Sequence, residues 1–301
     1  MAKRITVIGS ANTDFPILCP RMPEAGESLL VERQPYRVGG KGINQAVACA
    51  RQGIATAFIG TVGCDGEGDV LLDFLRSEKV DVTAVARAQE LFTGMAVLLM
   101  EQSTNRILSI PSANHRPLDV GALKGILSAS DFVLAQLEVH LPTLFEAMRS
   151  SAGATNIILN PAPASPIPAD IYPALYCITP NETEAEILTG IAIKTPKDAA
   201  SAAKALRDKG AARVVITLGA QGVYAITDDG EVHLGAHDVA LKDTVGAGDA
   251  FNGALAAALC LGMAFEQALR YANAAAALSV SREGSAQSVP TRDEVEAFLQ
   301  A

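Results

Sequence analysis

The sequence predicts an α/β fold, with a central, mostly parallel sheet flanked by helices and a small antiparallel β-sheet inserted between its early elements. After about residue 118, short apolar runs alternate regularly with amphipathic segments, as strands and helices do when a parallel sheet is covered on both faces. Residues 13–39 and 91–112 instead carry β-rich alternation. No internal repeat or linker-rich segment divides the 301 residues. We therefore expect one domain, residues 1–301, whose small sheet forms a lid subdomain from those two stretches.

The individual elements follow from the same patterns. The first strand, residues 5–8, is a short apolar run that stops at Gly9 and Ser10. Further strands are expected at residues 15–19, 29–38, 55–60, 94–101, 106–110, 132–134, 156–159, 175–178 and 213–217, with a polar turn at 102–105. Helices are expected at residues 41–52, 69–78, 141–150, 182–188, 196–209, 250–261, 265–281 and 293–299.

The composition limits the class of function. The chain has 24 Lys and Arg against 33 Asp and Glu, a formal net charge of −9, and 49% hydrophobic residues. This hydrophobic fraction excludes a disordered chain. The negative charge argues against a nucleic-acid partner, since affinity for nucleic acid depends mostly on neutralising phosphates. A small phosphorylated ligand remains possible, because a local cluster of backbone N–H donors holds a phosphate even on an acidic protein.

The N-terminal region and the cysteines predict a cytoplasmic protein with no membrane partner. The first apolar run is too short for a secretion signal, and no uninterrupted apolar run reaches the ~18 residues of a membrane span. The five cysteines are scattered and form no C-x-x-C pair. Neither a disulfide framework nor a cysteine metal site is therefore expected.

The segment from Asp243 to Asp249 is the most informative part of the chain. Gly246, Ala247 and Gly248 form a turn of minimal side chains ahead of an Ala-rich helix that we expect to begin after Asp249. The start of a helix carries unpaired backbone N–H groups, which favour an anion. Asp249 is then either the N-cap of this helix or a carboxylate beside an anion site, an arrangement suited to phosphoryl transfer to a hydroxyl. In the second case the helix N-terminus is expected to keep its pKa low.

Two segments at opposite ends of the chain resemble the signatures of one family. Residues 243–253, DTVGAGDAFNG, resemble the C-terminal signature of the ribokinase-like (PfkB) carbohydrate kinases, and residues 39–46, GGKGINQA, resemble their N-terminal signature. Further matches lie at residues 9–14, 136–138, 160–163, 179–184 and 217–219, so the resemblance covers essentially the whole chain. The GGKG stretch is not a Walker A loop, because Gly42 follows its lysine in place of Ser or Thr.

The resemblance implies a sugar kinase in which Asp249 is the catalytic base and residues 246–248 form an anion hole. The residue types suit this reading, since Asp and Asn offer short polar arms to hydroxyls and glycine lets a sugar approach the backbone. Ordinary turn chemistry is the alternative for residues 9–14 and 39–40. The substrate-binding residues implied by the resemblance are Asn12, Thr13, Asp14, Gly40, Lys41, Gly42, Ile43, Asn44, Glu138 and Asp249.

The resemblance also implies sites for ATP, Mg²⁺ and K⁺. Asn181 and Glu184 equally fit a helix capping box, and both roles can coexist; Asn273 is equally well explained as a buried helical Asn. The implied ATP-binding residues are Asn181, Thr217, Leu218, Gly219, Ala220, Gln221, Gly222, Gly248 and Asn273, and Glu184 is implied to hold Mg²⁺ through water. Asp243, Val245, Ser279, Arg282, Gly284 and Ser288 are implied to ligate K⁺, mostly through backbone carbonyls.

The implied reaction is ATP-dependent phosphorylation of a sugar's primary hydroxyl, with D-ribose giving D-ribose 5-phosphate. Deoxyribose, fructose or a nucleoside are alternative substrates within the family, and a non-catalytic sugar-binding sensor is an alternative of another class. An NAD-binding enzyme is a poor alternative, because no G-x-G-x-x-G follows the first strand.

A homodimer formed through the lid is also expected. Residues 29–31 and 97–99 are apolar in succession, so both faces of the small sheet carry apolar side chains in places. A small sheet that exposes such residues pairs with another surface or aggregates. Packing over the sugar cleft alone is the alternative.

Overall fold

The computed structural model describes residues 3–35, 37–101 and 104–301. Residue 36 of the expected strand 29–38, and residues 102 and 103 of the expected turn, lie outside the described residues. The strands are β1 Arg4–Ile8, β2 Asn12–Leu18, β3 Glu32–Arg33, β4 Arg37–Gly39, β5 Ala55–Ile59, β6 Thr61–Gly63, β7 Ala86–Ala88, β8 Gly94–Glu101, β9 Thr104–Ile110, β10 Phe132–Gln136, β11 Asn156–Asn160, β12 Leu175–Ile178, β13 Val214–Thr217, β14 Val223–Thr227 and β15 Gly230–Leu234. The α-helices are α1 Lys41–Arg51, α2 Gly66–Ser77, α3 Val120–Ser128, α4 Leu141–Ser151, α5 Glu182–Thr189, α6 Pro196–Asp208, α7 Ala247–Leu261, α8 Phe265–Val280 and α9 Arg292–Gln300.

The large sheet has eight strands in the order β15-β14-β13-β12-β11-β10-β1-β5. From β13 to β5 the neighbouring strands run parallel, while β14 and β15 are antiparallel to their neighbours. Short turns join these last strands, whereas parallel neighbours need a longer crossover, which the helices provide. The predicted mostly parallel sheet flanked by helices is confirmed. The edge hairpin β14–β15 was not predicted.

Both faces of the large sheet are covered, so its strands are buried on two sides. In β10 the side chain of Val133 joins an apolar cluster with α3, α4, α5 and α6, while that of Leu134 joins another with α1, α7 and α8. This two-sided burial explains why the strand sequences are apolar throughout instead of alternating. In the part of the chain that the structure describes, no helix is long and apolar enough to span a membrane.

The small sheet has the order β3-β2-β8-β9, and β4 also pairs with β2. Three of its four described pairings are antiparallel, as expected, but β2 and β8 run parallel. The reason is that α1, α2 and several strands separate β2 from β8 in the chain, so no hairpin forces them to be antiparallel.

Helix α2 begins at Gly66 instead of the expected residue 69, and two further differences from the expected helices concern the core and the site. The structure contains α3, for which no helix was expected; its two glycines lower helix propensity, but Asp119 caps it and Leu123 and Leu127 pack into the core. The other difference is that α7 begins at Ala247, three residues before the expected start, which changes the place of Asp249 in that helix.

Candidate active site

The site forms where the strand order of the large sheet reverses. β1 has β5 on one side and β10, which comes much later in the chain, on the other. The carboxyl ends of strands at such a reversal leave a crevice in which open α/β sheets bind ligands. Ser10 follows β1 and Glu138 follows β10, and the Ser10 hydroxyl donates a hydrogen bond to Oε2 of Glu138 at 2.6 Å. Glu138 is thereby fixed across the crevice.

The N-terminus of α1 enters this crevice through a glycine turn. Gly40 has a φ of 91°, and a Cβ there would come within 3 Å of backbone atoms of Ser10 and Asn12, so only glycine fits. The next residue, Lys41, places its Nζ 3.0 Å from Oε1 of Glu138. Gly42 packs against the backbone of residues 9 and 10 with no room for a side chain. The close approach of α1 therefore joins the N-terminal signature to the loop after β1.

Strand β2 contributes Asn12, Thr13 and Asp14, all of them buried. The Asp14 carboxylate lies against Gly39, in space that a side chain at that position would occupy. Burial, with the neighbouring Glu138 carboxylate, raises the pKa of Asp14 to about 7, although Lys41 acts to lower it. Asp14 is therefore poised to exchange a proton near neutral pH.

Asn114 is a site residue that the sequence did not single out. Its Nδ2 donates to Oδ1 of Asn12 at 2.7 Å, and its Oδ1 accepts the backbone N–H of Ala11 at 2.9 Å. Asn114 lies in the turn Ser112–His115 that follows the small sheet. It is remote from both signatures in the chain, so no local pattern marked it.

The start of α7 decides between the two interpretations of Asp249. The N-cap is Gly246, in the left-handed conformation with φ 80°, so Asp249 is the third residue of the helix and the N-cap reading is wrong. Its Oδ2 accepts from Asn44 Nδ2 at 2.8 Å and its Oδ1 from Gln45 Nε2 at 2.9 Å. The first-turn amides of α7 have no acceptor within the helix. A buried carboxylate thus lies beside the residues expected to form an anion hole.

The expected low pKa of Asp249 is wrong in direction. Burial raises the pKa of Asp249, and this outweighs the opposing effects of Lys41, Asn44 and Gln45. For Lys41, burial acts to lower the pKa, but the Glu138 and Asp249 carboxylates together raise it. A charged lysine therefore lies among carboxylates, and Asp249 is a stronger base than an exposed aspartate.

Two of the implied substrate residues face the protein interior. Ile43 is fully buried in the apolar core, and its N–H donates to the Ser10 carbonyl at 3.1 Å. Thr13 is buried and pairs with Val38 across the small sheet. The structure does not bring either side chain into the crevice. Ile43 lies on the core face of α1, and Thr13 points to the opposite face of β2 from Asn12 and Asp14.

A cleft of about 440 Å³ continues the crevice. Asn12 and Glu138 line it together with Asn114, His140 and Pro163. The small sheet and the strand ends of the large sheet thus enclose space on the side of the implied sugar residues.

The implied nucleotide residues gather at the carboxyl ends of β12 and β13. Asn181 caps α5 and forms a capping box with Glu184, as the alternative reading had it, and Asn181 forms a β-bridge with Thr217. Gly219–Gln221 is a single 3-10 turn, closed by the Leu218 N–H on the Gly222 carbonyl at 2.8 Å. The Leu218 side chain is buried in the core and does not face a ligand.

Asn273 lies on α8 and meets the same region from another direction. Its Nδ2 donates to the Gly235 carbonyl at 2.8 Å. Gly222 packs so closely against residues 234–236 that a side chain there would overlap their backbone. The segment after β15 therefore lies between Gly222 and Asn273.

The residues implied for K⁺ form a connected group around Asp243. Oδ1 of Asp243 accepts the Val245 N–H at 3.0 Å and Oδ2 accepts the Gly284 N–H at 3.1 Å. The Ser279 and Ser288 hydroxyls are hydrogen-bonded to each other at 2.8 Å. The Arg282 side chain pairs with Glu294 instead, so only its backbone is free to face this group. Within the described ranges, no three His, Cys, Asp or Glu side chains cluster as a metal site.

Comparison with known proteins agrees with this geometry. Residues 2–292 match the model of the pfkB family of carbohydrate kinases. The chain is similar to a ribokinase of Haemophilus influenzae, with 36% identity over 100% of this chain and 99% of that protein, and to a deoxyribokinase of Salmonella typhi, with 35% identity over 98% of each. Its structure is similar to that of Arabidopsis thaliana ribokinase complexed with ribose and ATP, with a TM-score of 0.93, 29% identity and full coverage of both chains.

These findings confirm the resemblance that the two signatures carry. The family match, the full-length coverage and the place of Asp249 in the first turn of α7 agree with one another. The chain belongs to the pfkB family of carbohydrate kinases and is a phosphotransferase that acts on a sugar hydroxyl.

Proposed function

We propose that this chain transfers the γ-phosphoryl group of ATP to the primary hydroxyl of D-ribose, giving D-ribose 5-phosphate and ADP. The observation that carries the proposal is the buried Asp249 carboxylate, held by Asn44 and Gln45 at the first turn of α7. Its place beside the crevice of Asp14, Lys41 and Glu138 suits a reaction between a bound sugar and a phosphate. The similarity to ribokinases over the full chain supports ribose as the sugar.

In the proposed reaction Asp249 is the general base. A bond forms between the sugar oxygen and the γ-phosphorus, the bond from that phosphorus to the β–γ bridging oxygen breaks, and the hydroxyl proton passes to Asp249. The amides of residues 246–248 stabilise the negative charge on the transferring group. Burial, which raises the pKa of Asp249, strengthens it as a proton acceptor.

The sugar is held by the residues gathered at the crevice. Asp14 and Glu138 accept hydrogen bonds from its hydroxyls, Asn12, Lys41 and Asn44 add polar contacts, and Gly40 and Gly42 let its ring approach the backbone. Thr13 and Ile43 act through the backbone, because their side chains are buried. The small sheet serves as a lid that closes over the sugar and excludes water.

The nucleotide is bound by Asn181, residues 217–222, Gly248 and Asn273. Mg²⁺, when bound, neutralises charge on the nucleotide phosphates. Glu184 fits a water-mediated role, since the capping box uses only its Oε2 and leaves its Oε1 for a water molecule.

We further propose a K⁺ site formed by Asp243, Val245, Ser279, Arg282, Gly284 and Ser288. Carboxylate and carbonyl oxygens are hard donors, which suit ions of this class. The Asp243 carboxylate already organises Val245 and Gly284. A cation there is expected to order the loop that leads into the anion hole, and turnover is expected to be higher in K⁺ than in choline buffer.

We also propose that two chains form a homodimer through the small sheet and that the protein is cytoplasmic. Leu30, Ile107 and Leu108 of the small sheet and its loops are each more than half exposed, and a partner sheet would cover them. All five cysteine thiols are free, as in a reducing compartment.

The experiment is a measurement of ATP turnover with ribose, deoxyribose, fructose and nucleosides. The expected result is the highest kcat/KM with ribose, with 5-phosphorylated product. Deoxyribokinase is the second candidate because of the Salmonella relative, and a preference for deoxyribose would establish it. Binding of sugar without turnover of any member of the panel would overturn the kinase proposal in favour of a sensor.

A further inference from the structure

Gln45 is a fully buried amide whose every polar atom is engaged around Asp249. Its Nε2 donates to Oδ1 of Asp249 at 2.9 Å and to Oδ1 of Asn160 at 3.1 Å. Its Oε1 accepts from Nε2 of Gln136 at 2.5 Å. Gln45 and Gln136 are both 0% exposed, so water does not compete for these bonds.

The orientation of the Gln45 amide is set by its neighbours. Because Asp249 and Asn160 present acceptor oxygens, the NH₂ group of Gln45 faces them, and its Oε1 accepts from Gln136. In the reversed orientation Oε1 of Gln45 would face two acceptor oxygens. Asn160 is fixed in turn, since its Nδ2 donates to the Thr179 carbonyl at 3.1 Å.

The Gln136 side chain fits beside Gln45 only because residue 9 is a glycine. A Cβ at Gly9 would overlap Oε1 of Gln136 and would lie 2.6 Å from Cα of Gly42. Gly9, which follows β1, thus leaves space for the side chain of Gln136, the last residue of β10.

We propose that Gln45 is a positioning residue, oriented by Asn160 and supported by the Gln136 donor, that holds the Asp249 carboxylate ready to accept the sugar proton. The inference rests on the proposed phosphoryl transfer and adds to it two residues that touch neither the sugar nor the nucleotide. Asn44 holds the other oxygen of Asp249 but is also one of the implied sugar residues, whereas Gln45 is fully buried and is not. Its contribution is therefore separable from substrate binding.

The direction in which loss of Gln45 changes the pKa of Asp249 follows from the groups around that carboxylate. Lys41 on α1 acts to lower the pKa of Asp249, and Glu138 after β10 acts to raise it. Asp14 on β2 and Glu184 on α5 also interact with Asp249. Gln45 acts to lower the pKa of Asp249, so its loss raises that pKa further and the acidic limb of the rate profile moves to higher pH.

The test compares Gln45→Met with Gln52→Met in the full chain, using the sugar that the wild type turns over best. Gln52 is a matched control: it lies at the end of the same helix, is equally buried, and also has both amide atoms bonded, to Tyr271 and Pro290. Gln45→Met is expected to lower kcat on the order of 10- to 100-fold, to leave the sugar KM within about twofold, and to move the acidic limb of kcat to higher pH. Gln52→Met is expected to lower the melting temperature with a normal kcat and pH profile.

Two further variants test the orientation itself. Gln136→Glu replaces the donor to Gln45 with an acceptor, and is expected to reproduce the kinetic effect of Gln45→Met although residue 136 does not touch Asp249. Gln136→Met leaves Oε1 of Gln45 without its donor and is expected to have a smaller effect of the same kind, which keeps the test usable if the buried glutamate impairs folding. A folded Gln45→Met enzyme with wild-type kcat and an unchanged acidic limb would overturn the inference, as would equal kinetic effects at positions 45 and 52. Wild-type inactivity toward every sugar would instead refute the proposed function.

Discussion

At the scale of single residues, the site contains carboxylates whose pKa values are raised by burial. Asp14 and Asp249 are both aspartates with raised pKa values, and for both the main cause is burial. Lys41 opposes this effect without cancelling it, since it is shared among several carboxylates. A buried carboxylate of this kind lowers stability, and such groups cluster at functional sites.

Asp249→Asn is expected to lower kcat by a factor on the order of 10²–10⁴, because it removes the group that accepts the hydroxyl proton. Sugar binding measured by calorimetry is expected to change little, since the contacts of Asp14 and Glu138 remain. Steady-state turnover of purified enzyme checks the first expectation, and a melting curve checks that the variant is folded. Near-normal turnover in a folded variant would contradict the assignment of the base.

Asp14→Asn is expected to be more stable than the wild type without sugar, and this advantage is expected to be larger at pH 8 than at pH 5. The folded-state pKa of about 7 lies above the ordinary value of 3.8 for an aspartate, so the folded state binds more protons between these values and wild-type stability falls as pH rises through that window. Asparagine removes this cost, which is at most about 4 kcal/mol for the full difference in pKa.

The measurement is the melting temperature of both proteins at pH 5 and pH 8 without sugar. The difference between variant and wild type is expected to grow with pH, while sugar binding by the variant is weakened. An advantage that is the same at both pH values would show that Asp14 titrates normally.

At the scale of elements, the contact between α1 and α7 brings the two signatures together. Gly253 on α7 lies against Ala48 and against the backbone of Gln45 on α1, where a Cβ would overlap the Ala48 side chain. This close approach lets Asn44 and Gln45 reach Asp249 across 205 and 204 positions of sequence. The last glycine of DTVGAGDAFNG is therefore required for the packing of the site.

Gly253→Ala is expected to push α7 away from α1, and so to lower both stability and kcat. Overpacking of this kind costs about 1–3 kcal/mol, and the displaced Asp249 loses its two amide donors. Chemical denaturation and turnover measure the two effects. Gly125→Ala on α3 is the matched control, because that glycine is exposed with open space around it; it is expected to stabilise the protein by about 0.5–1 kcal/mol with unchanged kcat. Equal behaviour of the two variants would contradict the role given to Gly253.

At the scale of the whole molecule, the two sheets have different surroundings. The large sheet is covered by helices on both faces, whereas the small sheet ends in the edge strand β9. Ile107 and Leu108 are neighbours on β9 and point to opposite faces, yet both are more than half exposed. An edge strand that exposes apolar side chains on both faces tends to pair with another chain.

We expect sedimentation at micromolar concentration to give twice the mass of one chain. Ile107→Glu with Leu108→Glu is expected to give a monomer, because the charges oppose burial in an apolar interface. Ile187→Glu on α5 is the control, since that side chain is also exposed but lies away from the small sheet. A wild-type monomer would show that the small sheet serves the sugar cleft alone.

The sequence by itself determined the fold class and, through the resemblance of the two signatures, the family of carbohydrate kinases. Two-sided burial leaves apolar strands, which can be recognised from short segments. Only the tertiary structure decided that α7 begins at Ala247, that Asp249 is held by Asn44 and Gln45, and that β2 and β8 run parallel. It also reversed the expected direction of the Asp249 pKa, because burial is a property of the assembled fold and no pattern within a short segment reveals it.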